Sequence, residues 1–367
     1  MRAAPGQVVA GRYRLTDHPD GRGMLAQDQQ TGDQVLLYAL DLPGLLVPGR
    51  AAAGPDPAHG EWIARRAAAA AECAPEHPRL LRPVEAVAEE DLLWVAEERP
   101  PGCSLAALAG AGPLPPYRAA EIAADLAAGL HELHRAGLAH GNVAPESVVV
   151  CEDGAALLGG LLLGAAEEEL CAALGGPGDA APTPLQARRI LDARSLLLGP
   201  RAERWALETG PAADCWALGV LLYRLLTGRA PYPEDDLPTL LAAIRAGHPG
   251  PMDGCGPLAP LVERLLRSEA AARPGIAEVR RELATLIGAA PEPYGPRPQG
   301  VQELPVRRPR GPLVRHPNGP AIRRSRPERV VAHRPSALPP ALLGPLLVAG
   351  VLVLLVVALV LVVSLAG

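Results

Sequence analysis

The hydrophobic pattern of this chain is mainly strand-like at its start and helical afterwards, and that order restricts the folds open to it. Residues 12–16 (RYRLT), 24–28 and 34–40 read as strands, the last two flanking the turn Thr31-Gly32-Asp33. A helix is predicted over 61–74 and a further strand over 90–97 (EDLLWVAE). Beyond the prolines of residues 113–116 the period becomes helical, with apolar residues three and four apart over 117–136. Strands first and helices afterwards predict an α+β molecule with a small β-rich lobe and a larger helical lobe. Spacing alone leaves the topology open.

Charge divides the chain a second way. Residues 1–290 hold 25 arginines against 37 acidic residues, a balance of −12, whereas 291–367 hold 10 arginines against three glutamates, or +7. An acidic body argues against a nucleic-acid partner, because the phosphate backbone demands a positive face. All 35 basic residues are arginine and phenylalanine is absent, the drift of a GC-rich genome. Drift stops at a side chain that chemistry requires, so the missing lysine also says that no lysine is required here. Six scattered cysteines form no Cys-x-x-Cys pair and read as small buried residues in a reducing compartment.

Residues 290–340 are rich in proline and arginine without helical or strand period, and are expected to form a disordered linker. Residues 341–366 carry no charge and are long enough to cross a bilayer as one helix. Arginines crowd only the upstream side, which places the body in the cytoplasm and the C-terminus outside the cell membrane. Neither a secretory signal before the body nor an external sensor after the helix is expected. The arginine-rich stretch also suits anionic lipid of the inner face.

At LHELHRAGLAHGNVAPESVVV, residues 130–150, the chain resembles the long helix and catalytic loop of the bacterial Ser/Thr protein kinase family, of actinobacterial type. The resemblance spans about 11–289. RYRL followed by a turn and VLLYALDLP is similar to the family's first three strands, and EHPRLLRPVEAV to the segment after its regulatory helix. AADCWALGVLLYRLLTGRAPYP, residues 212–233, resembles the buried central helix, and 261–283 the last two helices. The resemblance implies a two-lobed kinase-like fold, with an N-lobe over about 11–100 and a C-lobe over about 101–289.

It also implies where the chemistry should sit. The family's His-Arg-Asp triplet falls on His140, Gly141 and Asn142, and an amide cannot accept the proton that the aspartate takes. The loop lysine that meets the γ-phosphate becomes Ala144, and the magnesium-binding asparagine becomes Ser147. The Asp-Phe-Gly position falls on Gly160, Leu161 and Leu162, so the main metal carboxylate is lost. Tyr38 replaces the lysine that pairs with the α- and β-phosphates, and its glutamate partner falls near Ala68. The phosphate-covering loop keeps Gly21 and Gly23 without the family's glycine spacing. Scaffold positions are retained: His140 as a packing histidine, Leu161 in the phenylalanine's apolar place, Asp214 bonding the catalytic-loop backbone, Gly219 in the central helix, and Arg273. The family's glutamate partner of Arg273 is lost at Gly199-Pro200-Arg201, which leaves that partner open, with Glu203 a candidate stand-in. Thr183, before Pro184 in a long activation segment, is a candidate phosphosite, against the plain reading of a loop threonine.

The expectation is a membrane-tethered cytoplasmic pseudokinase, a scaffold or regulator without phosphoryl transfer and with no cofactor. Its partner would be a cytosolic or membrane protein, an active kinase among the candidates. One alternative is a Ser/Thr kinase with atypical chemistry, using ATP and magnesium with Glu146 or Asp153 as substitute carboxylates. A second is a nucleotide-binding but non-catalytic sensor.

Overall fold

The computed structural model describes residues 4–20, 23–42, 57–173 and 183–290. The expected linker beyond residue 290 and the expected membrane helix over 341–366 lie outside them, as does Gly21. Among the described residues no helix is long and apolar enough to cross a membrane.

Six strands form one antiparallel sheet in the order β1-β2-β3-β4-β6-β5. They are β1 (Val8–Val9), β2 (Tyr13–Asp20), β3 (Gly23–Asp28), β4 (Gln34–Asp41), β5 (Pro83–Glu89) and β6 (Leu92–Glu98). Alternation on β4 splits its side chains between two faces. Val35 and Leu37 join Tyr13, Leu15 and Trp94 on one side. Leu36, Tyr38 and Leu40 join Leu93 and Val95 on the other. The second face is covered by helix α1 (Pro57–Glu72), whose Ile63, Ala64, Ala67 and Ala71 recur three and four apart.

The helical half is assembled around α6 (Pro211–Thr227), which is buried along most of its length and is apolar nearly all round. It ends at Gly228, whose left-handed φ of 71° closes the last turn without a Cβ penalty. Before it come β7 (Cys103–Ser104), α2 (Leu105–Gly110), α3 (Pro116–Arg135), β8 (Val148–Val150), β9 (Ala156–Leu158), α4 (Leu161–Ala173) and α5 (Pro184–Leu198). After it come α7 (Leu237–Ala246), α8 (Ala259–Leu265) and α9 (Ile276–Gly288). Strands β7, β8 and β9 make a second, three-stranded sheet. At Gly219 of α6 an added Cβ would lie 2.7 Å from Leu265 Cβ of α8, so glycine is what lets the two helices meet. A curled antiparallel sheet followed by helices fits the two-lobed kinase-like fold.

Two local differences matter. The segment after β9, read as a long loop from sequence, contains the helices α4 and α5. Of the six cysteines, all free, three are buried, Cys103 and Cys151 are half-buried, and Cys73 is exposed.

Candidate functional site

The loop of residues 140–147 is held from below by the N-terminal turn of α6. Asp214 Oδ2 accepts from the His140 N–H and Oδ1 from the Gly141 N–H, each at 2.8 Å, and His134 Nε2 lies 2.8 Å from Oδ2. His140 is buried, and its Nδ1 accepts from the Asn142 N–H at 3.2 Å. Burial lowers its pKa to about 4, so the imidazole is neutral near pH 7.

Asn142 is buried with both ends of its amide engaged. Its Nδ2 donates to the Gly160 carbonyl at 2.9 Å, and its Oδ1 accepts from Arg204 Nη1 at 2.7 Å. The other Arg204 nitrogen, Nη2, pairs with Glu167 Oε2 of α4 at 2.7 Å, and both side chains are at most 1% exposed. A buried pair of this kind persists only where its hydrogen bonds are well met, and Asn142 supplies one of them.

Gly160 adopts φ +82°, and an added Cβ would lie 2.7 Å from both Asn142 Nδ2 and Ser147 Oγ. No aspartate fits there without displacing them. Ser147 is buried against this point, and its carbonyl accepts from the Gly159 N–H at 2.7 Å. Ala144 is fully packed, at 1% exposure.

From Gly160 the chain turns directly into α4, whose N-terminus is capped from another element. Glu97, at the end of β6, accepts from the Gly160 N–H at 2.9 Å through Oε2 and from the Leu163 N–H at 3.3 Å through Oε1. Burial pushes the Glu97 carboxyl up to about 7, against the pull of those two amides. Leu162, Leu163, Ala166 and Leu170 of α4 then pack on Tyr38 and α1. Tyr38 is thereby 6% exposed inside an apolar cluster, and Ala68 is half-buried on α1. Leu161 is half-buried and packs the other way, against the helical core.

Several polar groups are already committed. Glu146 pairs with Arg201 at 3.0 Å, and Asp153 accepts from the Ala155 N–H at 3.0 Å. Glu203 pairs with Arg224 at 3.0 Å, which corrects its candidacy as the partner of Arg273. Arg273 instead pairs with Glu208 and also donates to the carbonyls of Arg267, Ala212 and Ser268. Thr183 is a capping residue rather than a plain loop threonine: its Oγ1 accepts from the Gln186 N–H at 3.3 Å, and Gln186 Oε1 accepts from the Thr183 N–H at 2.8 Å. Gly23 remains in the sheet, where an added Cβ would meet the Leu36 side chain at 2.8 Å.

No family model matches the chain. The chain is similar to serine/threonine-protein kinase pkn2 of Myxococcus xanthus, 32% identical over 223 residues that make up 59% of this chain and 25% of that protein. It is 30% identical to serine/threonine-protein kinase AfsK of Streptomyces coelicolor over 210 residues, 55% of this chain and 24% of that one. It is also 30% identical to serine/threonine-protein kinase PknL of Mycobacterium tuberculosis over 124 residues, 34% and 28% of the two chains. The protein is kinase-like. Its match spans about a quarter of the length of these relatives.

The groups a kinase-like protein would turn on ATP and magnesium do not fit that task here. Asn142 is spent on Arg204 and Gly160, Gly160 offers no carboxylate, and Tyr38 faces leucines and alanines. Among the described residues no group of three or more His, Cys, Asp or Glu side chains could hold a metal ion. Sequence reasoning missed Arg204, Glu167 and Glu97. Glu97 carried a signal, since it shares strand parity with Leu93 and Val95 and so falls on the face that α4 covers.

Proposed function

We propose that the protein is a membrane-tethered cytoplasmic pseudokinase, a kinase-shaped binding module that transfers no phosphoryl group. The observation that carries this reading is the closed chain from Gly160 through Asn142 and Arg204 to Glu167. At the position the resemblance gives to the proton-accepting aspartate, a neutral amide has its oxygen tied to a guanidinium, so no acceptor faces a substrate hydroxyl. The tether is supported by the uncharged apolar run of 341–366 and the arginines before it. A cytosolic or membrane protein, an active kinase among them, is the partner this reading requires.

The names of the relatives favour the alternative, a working Ser/Thr kinase with atypical chemistry. The experiment incubates the full chain in detergent with γ-labelled ATP, with and without magnesium, beside thermal melts under the same conditions. The pseudokinase reading expects no transfer above a boiled control and no ATP-dependent shift. Magnesium-dependent transfer abolished by Asn142→Ala would establish the working kinase. A melting shift without transfer would establish the nucleotide-binding sensor.

A further inference from the structure

We propose that the groove filled by α4 is a helix-binding site whose partner is an acidic amphipathic helix, bound in competition with α4. The inference rests on reading the protein as a binding module and names that module's partner class.

Three parts of the groove define what it accepts. Its floor is apolar, with Tyr38 and Val95 of the sheet beside Ile63, Ala64 and Ala67 of α1. The alanines let a second helix backbone approach closely. Its head is the Glu97 carboxylate, which comes from β6 rather than from α4 and meets the free N–H groups that any helix presents at its start. Its rim is cationic. Three consecutive glutamates of α4 each find an arginine on a different element: Glu169 with Arg66 of α1 at 2.6 Å, Glu167 with Arg204 at 2.7 Å, and Glu168 with Arg194 of α5 at 3.1 Å. In a body of net charge −12, three arginines around one groove select an acidic ligand.

The occupant α4 is held in a manner that permits exchange. Its other face packs in part, through Leu161, on the helical core, and Leu161, Gly164, Ala165 and Glu168 also border a cavity of about 540 Å³. The helix behind it, α5, buries only Leu198. Two of the three rim pairs are partly exposed, with Arg66 at 55% and Glu168 at 47%, and exposed pairs contribute little to stability. A helix with the same apolar stripe and acidic run would remake the contacts that α4 gives up with Tyr38, α1 and Arg204.

The test uses a fluorescein-labelled peptide of residues 160–173 and follows its anisotropy with the full chain in detergent. Leu163→Asp in the chain unseats the resident helix, and the peptide is expected to bind that variant about tenfold more tightly than the parent. A peptide with glutamine at 167, 168 and 169 should bind about tenfold more weakly than the native one. Should Leu163→Asp fail to fold, as judged by circular dichroism, the Glu168→Gln/Glu169→Gln chain takes its place, with a gain of about threefold. Equal binding of a scrambled peptide, or binding indifferent to the three charges, overturns the inference. Phosphoryl transfer by the parent chain would overturn the non-catalytic reading alone, leaving the peptide result to stand or fall by itself.

Discussion

Arg204 and Asn142 are joined at 2.7 Å in the interior, and the same guanidinium reaches Glu167 at 2.7 Å. One buried cation thus ties the catalytic-loop position to α4. Removing the cation while keeping the anion takes from Glu167, at 0% exposure, the guanidinium that faces it. Arg204→Met is therefore expected to cost about 3–5 kcal/mol of unfolding free energy, and Arg204→Met/Glu167→Leu to recover most of it. Urea unfolding of the two variants decides, and equal losses in both would refute the coupling.

Restoring the family's carboxylates should damage the fold before it helps the chemistry. Gly160→Asp puts a side chain 2.7 Å from Asn142 Nδ2 and Ser147 Oγ at a φ of +82°. Strain at such a position costs about 1–3 kcal/mol, to which the displaced hydrogen bonds add. Asn142→Asp replaces the donor to the Gly160 carbonyl with a second acceptor and places two carboxylates on one guanidinium. Both variants, and their combination, should melt several degrees below the parent and transfer no phosphate from ATP. Transfer by the combined variant would mean that the site is only two residues from catalysis.

The capping carboxylate sets a pH dependence of definite sign. Burial raises Glu97 from 4.5 to about 7, with the Glu167 charge adding to the effect and the amides of Leu163 and Gly160 opposing it. Between those values the folded chain keeps a proton that the unfolded chain releases, so this contribution to stability falls as pH rises through the window. The span corresponds to about 3 kcal/mol. His140 acts in the opposite sense: burial lowers it from 6.5 to about 4, so its contribution rises with pH over that range. The two partly cancel in the parent, and the effect is cleanest as a difference between parent and Glu97→Gln. Relative to its value at pH 4, the stability of Glu97→Gln over the parent should grow by about 3 kcal/mol at pH 8. A gap independent of pH would show that Glu97 does not titrate in this window.

Alternation and helical spacing made much of the fold legible. Residues 34–40 read as a strand, whose period of two puts Leu36, Tyr38 and Leu40 on one side, and the resemblance of 212–233 implied the central helix α6. What spacing could not supply was partnership across the chain. Arg204 and Glu167 are 37 positions apart and belong to elements that meet only after folding. Glu203 and Glu208 both precede α6, and only geometry assigns the second to Arg273 and the first to Arg224. Helix α4 was hidden for a physical reason: its cap, Glu97, lies more than 60 residues upstream, so no local N-cap signal stands before Leu161.

Helix α5 does carry such a local signal, and it predicts a strictly local effect. Thr183 and Gln186 form a reciprocal capping box, while Leu198 is the helix's single buried residue. Stability at its start therefore depends on the cap, because packing contributes little there. Thr183→Ala should cost about 1 kcal/mol within α5, raising amide exchange of residues 187–194 roughly fivefold. Exchange in α6 and the global melting temperature should hardly change, since α5 opens without disturbing the core. Thr183→Asp keeps an oxygen for the Gln186 N–H and adds a negative charge at a helix start, so exchange there should stay at the parent's level. Slower or unchanged exchange in Thr183→Ala would contradict the capping role, as would a fall of several degrees in the global melt.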